Sequence, residues 1–201
     1  MVCIRKATLA DVPEITACYL VCSPGEDPDA FLSYFNDSML SPVRVVFAAE
    51  YDGHIVGYVL AKIFEEEEDE EEDAAEEEDI QGYIEYLGVH PTYRKLGIAT
   101  KLMNAAQNAL VQEYGFEYVY LHVRPSNHAA ISLYTKLLGY KFGDTAAEFY
   151  YDGEDAYLMR KQLPGKQTDH LVLEFSHGGG CFRGAGHTGK YVRHNYNVSN
   201  G

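Results

Sequence analysis

No stretch of this 201-residue chain is apolar for long enough to cross a bilayer, and the opening Met-Val-Cys-Ile-Arg-Lys lacks the apolar core of a secretion signal. Cysteine is scarce. Cys3, Cys18, Cys22 and Cys181 show no metal-type spacing, and Cys18 and Cys22 fall four apart on a helical pattern. Reduced thiols in a cytoplasmic protein are therefore expected, not a disulfide framework. Bases are few as well: 16 Lys and Arg stand against 31 Asp and Glu, a formal charge of −15. Such a chain offers no basic excess for nucleic acid, so neither nucleic acid nor membrane is expected as a direct partner.

The acid is concentrated in one place. Glu65 to Asp79 holds 13 acids in 15 positions, broken only by Ala74 and Ala75, and without them 18 acids face 16 bases. The rest of the chain is thus nearly neutral. A run of like charge repels itself and buries no apolar area, so 65–79 is expected to be a disordered loop, either simply solvated or attracting basic segments of a substrate or partner. From Pro164 the pattern changes again. Gly178-Gly179-Gly180 and scattered histidines without periodicity predict a flexible tail over 164–201, which leaves 1–163 as one domain. His170, His177, Cys181, His187 and His194 are spaced too loosely for a metal site, and no metal is expected.

Within the domain, a short strand at 2–6 precedes a helix over 10–22 with Thr8 as its cap, and a second helix covers 29–39. Strands at 43–50 and 54–64 flank the turn Tyr51-Asp52-Gly53, and a further strand covers 81–89. A helix follows over 97–113, then a strand at 118–123, a helix capped by Asn127, and strands around 140–150 and 155–162. This order predicts an α/β fold, a mixed and mostly antiparallel sheet flanked by helices. The most telling segment is Arg94-Lys95-Leu96-Gly97-Ile98-Ala99, between the strand at 81–89 and the helix after it. Gly97 permits close backbone approach, free amides at a helix start attract anions, and Arg94 and Lys95 add positive charge. Together they describe a phosphate cradle.

The order of elements, Arg94-x-x-Gly97-x-Ala99 and Asn127-x-Ala129-Ala130-x-x-x-Tyr134 resemble the GNAT acetyltransferase superfamily. Gly57-Tyr58-Val59-Leu60-Ala61-Lys62, Leu121-His122-Val123-Arg124-Pro125-Ser126-Asn127 and Tyr150-Tyr151-Asp152-Gly153-Glu154-Asp155-Ala156-Tyr157 are similar to segments of its N-terminal protein acetyltransferases, the NatA catalytic type above all. Tyr83 looks more like the NatE type. The resemblance implies acetyl-CoA as cofactor, held in a splay of the central sheet. Its pantetheine arm would lie against Leu87 and Val89 and its diphosphate over Arg94, Lys95, Gly97, Ile98, Ala99 and Thr100, with Asn127 and Tyr134 near the far end. Protein N-termini, nascent or mature, are the implied substrates, small residues exposed after Met removal in particular. A large auxiliary subunit and ribosome association are implied partners.

Acetyl transfer to an amine needs a neutral amine, a base within hydrogen-bond reach and an acid for the departing thiolate. His122 is the first choice of base. It lies on a strand whose Tyr118, Tyr120, His122 and Arg124 share one face, although a buried structural histidine would read the same way. Tyr83 is the second candidate, as proton carrier or as packing. Tyr134 is the candidate acid, with core packing as the plainer alternative. Glu85, on the face of Tyr83, and the loop residues Tyr150 and Tyr151 are candidates for gripping the substrate. One segment departs from the resembling enzymes: Ser23-Pro24-Gly25-Glu26-Asp27-Pro28 stands where they carry Leu-Pro-Glu-Asn-Tyr, and no tryptophan occurs to match their Ser-Trp-Pro. Glu26 is the nearest carboxylate for the peptide wall. A lysine or small-molecule amine acetyltransferase, and a non-catalytic CoA-binding paralogue, remain as alternatives.

Overall fold

The computed structural model describes residues 1–24, 27–64 and 81–165. Glu26, the acidic block at 65–79 and the tail beyond 165 lie outside the described residues. Seven strands form one sheet: β1 (Cys3–Lys6), β2 (Arg44–Tyr51), β3 (His54–Phe64), β4 (Gln81–Val89), β5 (Tyr118–Val123), β6 (Lys141–Ala146) and β7 (Ala156–Gln162), in the spatial order β1-β2-β3-β4-β5-β7-β6. Every neighbour pair is antiparallel except β4 and β5, which run parallel. Helices α1 (Val12–Cys22), α2 (Pro28–Leu40), α3 (Ile98–Ala109) and α4 (His128–Ser132) complete the α/β architecture.

The chain supplies polar side chains at the starts of α1 and α2. Arg5 pairs with Asp11 at 2.7 Å, and the Asp11 carboxylate accepts from the Thr8 amide and hydroxyl ahead of α1. The Asp27 carboxylate accepts from the amides of Asp29 and Ala30, with Pro28 at the first position of α2. The faces of α1 and α2 then bury Ile15, Tyr19, Phe31 and Phe35 against Tyr58 and Tyr86 on one side of the sheet. On the other side, Leu102, Met103 and Leu110 of α3 and its extension pack on Val59, Leu121 and Met159, and α4 adds Ala130. Cys18 and Cys22 are free and buried in the first of these cores.

Two details differ from the periodicity. Helices α3 and α4 both continue as wider π turns, over Leu110–Tyr114 and Leu133–Leu137. The strand expected to reach residue 150 stops at Ala146, because the chain turns back on itself: the Glu148 amide donates to Asp155 Oδ1 at 2.8 Å and the Tyr150 amide to the Glu154 carbonyl at 3.0 Å. Residues 147–155 are therefore an inward-folded loop.

The β4–β5 contact positions everything that follows. Only Gly82–Val119 and Tyr83–Tyr120 pair across it. Beyond Tyr83 the strands separate. The register of β3 against β4 slips at the same level, from Ala61–Ile84 to Leu60–Tyr86, so Glu85 is the extra residue of a β-bulge. The His90 amide bonds the Val56 carbonyl of the β3 side, and the two-residue period leaves the backbone groups of Leu87 and Val89 on the opposite edge, facing the gap.

Candidate active site

The gap between β4 and β5 opens into a cavity of 530 Å³, within the usual size of small-molecule sites. Leu87 and Val89 form its β4 wall. Arg94, Lys95, Gly97, Ile98, Ala99 and Thr100 form the turn and the first residues of α3, and Tyr134 stands on the α4 side. Each of these was expected from sequence to hold cofactor. Tyr93, Leu133 and Leu137 line it too and were not foreseen, since an apolar residue at helical spacing reads as core.

The turn into α3 has the backbone of an anion site. Lys95 and Gly97 both adopt positive φ, 61° and 73°. A Cβ at Gly97 would meet nothing within 4 Å, so glycine is there for its conformation rather than for space. Glycine has no side chain to cap the helix, which leaves the first amides of α3 for a ligand. Arg94 is pinned at the rim by its Nε, which donates to the Val89 carbonyl at 3.1 Å; that carbonyl also accepts from Cys22 Sγ at 3.3 Å.

Asn127 is buried and caps α4, its Oδ1 accepting from the Ala130 amide at 3.0 Å. Its Nδ2 has no hydrogen-bond partner among the described residues. A buried donor left over in this way fits a ligand carrying amide or carbonyl oxygens. Free helix-start amides, backbone edge groups of β4 and the spare Asn127 donor together suit a pantetheine diphosphate.

Beside the last β4–β5 pair, Tyr83 and His122 meet: Tyr83 Oη lies 2.8 Å from His122 Nδ1. His122 is only 3 % exposed and Phe149 stacks on it, ring centroids 4.2 Å apart and 15° from parallel. Burial holds the imidazole pKa down at about 4, so the ring is neutral at physiological pH. Tyr83 is the less buried member of the pair. Burial also pushes the Tyr134 hydroxyl well above its ordinary pKa, so it keeps its proton.

Glu85 is buried and paired, with Oε1 3.0 Å from Lys62 Nζ and Oε2 3.9 Å from Arg44 Nη1. Lys62 Nζ also lies 5.5 Å from the centre of the Tyr83 ring, which places Glu85 and Tyr83 on one face as the sequence suggested. Tyr150 is buried under the Arg124 guanidinium, 3.7 Å from its ring, whereas Tyr151 is 73 % exposed. Of the three loop aromatics, Phe149 and Tyr150 face inward. Sequence reading passed over Phe149, which has no polar atom and no periodic neighbours to mark it.

Residues 12–140 match the acetyltransferase (GNAT) family model. The chain belongs to the GNAT acetyltransferase family. It is 50 % identical over 169 residues to the N-terminal acetyltransferase A complex catalytic subunit NAA10 of Arabidopsis thaliana, covering 84 % of this chain and 81 % of that protein. It is 38 % identical to the corresponding subunit ard1 of Schizosaccharomyces pombe, over 83 % of this chain and 88 % of that one. Among solved structures it resembles Arabidopsis thaliana NAA60 in complex with a bisubstrate analogue, with a TM-score of 0.66 and 28 % identity over 83 % of this chain and all of that one. In this GNAT chain the Tyr83–His122 pair stands at the last β4–β5 pair, and Leu87 and Val89 farther along β4 line the cavity. Among the described residues no helix is long and apolar enough to cross a membrane.

Proposed function

We propose that this protein transfers the acetyl group of acetyl-CoA to the α-amino group of protein N-termini, with both substrates bound together. One observation carries the reading. The cavity along β4 has a helix-start anion site on its wall, and a half-buried tyrosine–histidine couple stands at the last β4–β5 pair, where the strands part. Acetyl-CoA supplies an acyl group already activated as a thioester, so the chain need only bind, orient and move protons. The amides of 97–100, with Arg94 and Lys95, would hold the diphosphate. Leu87 and Val89, which line the cavity, would lie along the arm, and Asn127 Nδ2 would meet its far end.

An amine that attacks a carbonyl becomes positively charged and strongly acidic, so a weak neutral base suffices to discharge it. Tyr83, the more accessible member of the couple, accepts that proton at Oη while its own hydroxyl proton passes to His122 Nδ1. Tyr134, kept protonated by burial, serves as the acid for the leaving sulfur. Glu85 fixes Lys62 against the Tyr83 ring and so borders the amine's approach. Tyr150, with Tyr151 at the exposed edge of its loop, would grip the first residues of the peptide, and Glu26 is the proposed carboxylate of the peptide wall. By likeness to NatA catalytic subunits, a large auxiliary subunit and the ribosome are the proposed partners.

The test uses two peptides and isotopically labelled acetyl-CoA, read by mass spectrometry. A peptide with a free α-amine should gain one acetyl on that nitrogen. Label appearing only on the lysine of an α-blocked peptide would overturn the proposal.

A further inference from the structure

The loop over residues 147–155 is held from outside itself. Arg124, just past β5, donates from Nη1 to Asp152 Oδ2 at 2.8 Å and to Glu154 Oε2 at 2.7 Å. The other oxygen of Glu154 accepts from the Ser126 amide at 2.9 Å. Arg124 is buried between these carboxylates and the Tyr150 ring. A buried guanidinium is costly unless its donors are met, and charge-assisted bonds of this length are the strong kind. The same loop presents Phe149, whose ring lies flat on the His122 imidazole and edge-on to Tyr150, 5.1 Å away.

We propose that Arg124 and Phe149 are positioning residues for His122: the guanidinium fixes the loop, and the loop lays Phe149 over the imidazole as a dry cover. The inference rests on the reading of His122 as the proton acceptor. Tyr83 fixes the ring through Nδ1, and Phe149 fixes it through its face, so the imidazole is held on two sides. A covered ring stays neutral in acid that would charge an exposed histidine, and burial is the cause of its low pKa.

Several charged or titratable groups on neighbouring elements bear on that ring. On β5 this is Tyr120, with Arg124 just past its end, and on β4 they are Tyr83 and Glu85, the latter paired with Lys62 of β3. The loop contributes Tyr150, Asp152 and Glu154, of which the two carboxylates are engaged by Arg124. On β7 the register partner of His122 is the apolar Leu158, and Arg160 lies opposite Tyr120. Shortening Phe149 removes none of these groups, although Tyr150 loses a ring neighbour, and F149L restores an apolar one.

The experiment is an NMR titration of the intact protein carrying labelled histidine, with the His122 resonance assigned by its absence from H122Q. The native ring should titrate near pH 4. F149A should move the midpoint up by about one unit or more toward the ordinary histidine value. F149L, which keeps an apolar cover, should stay near the native position. R124Q should shift the midpoint upward like F149A and raise the KM for peptide while leaving the affinity for acetyl-CoA in place. An unmoved midpoint in F149A would overturn the cover, and an unmoved midpoint in R124Q would overturn the clamp. The role of His122 itself is decided apart from this, by turnover of H122Q. Activity retained there removes the base without altering what the titration says of the cover.

Discussion

A neutral imidazole is the form a proton acceptor needs, and at His122 burial imposes it, with consequences for both rate and stability. H122Q should lower kcat by about a hundredfold or more, the ordinary worth of a positioned base, while acetyl-CoA affinity stays near native. The folded pKa of about 4 lies below the ordinary value of 6.5. Between those values the unfolded chain takes up a proton that the folded chain refuses, so stability is lost as pH falls through that window. The loss from this one group amounts to about 3 kcal/mol by pH 4. Urea unfolding at a series of pH values should therefore show the native protein losing ground to H122Q between pH 6.5 and 4; a constant difference would contradict the assignment. At the other end of the cavity, R94A removes a charged donor from the rim. It should raise the KM for acetyl-CoA about tenfold or more and the KM for peptide far less.

Element boundaries were legible where a strand or helix is bounded by its own turn chemistry. The strands at 81–89 and 118–123 stand where the sequence placed them, and the helices expected over 29–39 and 97–113 begin within one residue of that, at Pro28 and Ile98. The cavity wall was legible for the same reason, because a cradle is built from contiguous residues. Three features were not. The bulge at Glu85 and the two-pair ladder between β4 and β5 depend on register between segments far apart in the chain. The Lys62–Glu85 pairing follows from that register and shares its obscurity. Phe149 lies in a loop whose path is set by Arg124, which no local pattern reveals. Within β4 the close passage is demanding: a Cβ at Gly88 would come within 2.5 Å of the Tyr58 ring, which is itself fully buried. G88A should cost about 1–3 kcal/mol through overpacking of β3 against β4, seen as a lowered Tm. A variant as stable as native would show that the two strands can part more easily than their packing suggests.

At the scale of the whole molecule, two cores on opposite faces of one sheet hold the site between them, and the acidic block at 65–79 lies outside the described residues. Phe64 and Gln81, which flank it, are register partners. A short Asn-Gly turn in place of 65–80 should therefore close the hairpin and preserve cooperative unfolding and turnover of neutral peptides. Loss of a single cooperative transition in that variant would show that the block contributes to the fold. The central claim remains that the opening between β4 and β5 receives a coenzyme whose diphosphate rests on the amides beginning α3. Titration calorimetry of the intact, folded protein with acetyl-CoA tests it most directly. Saturable uptake at one site per chain is expected, and folded protein that takes up neither CoA nor its acetyl form would contradict the claim.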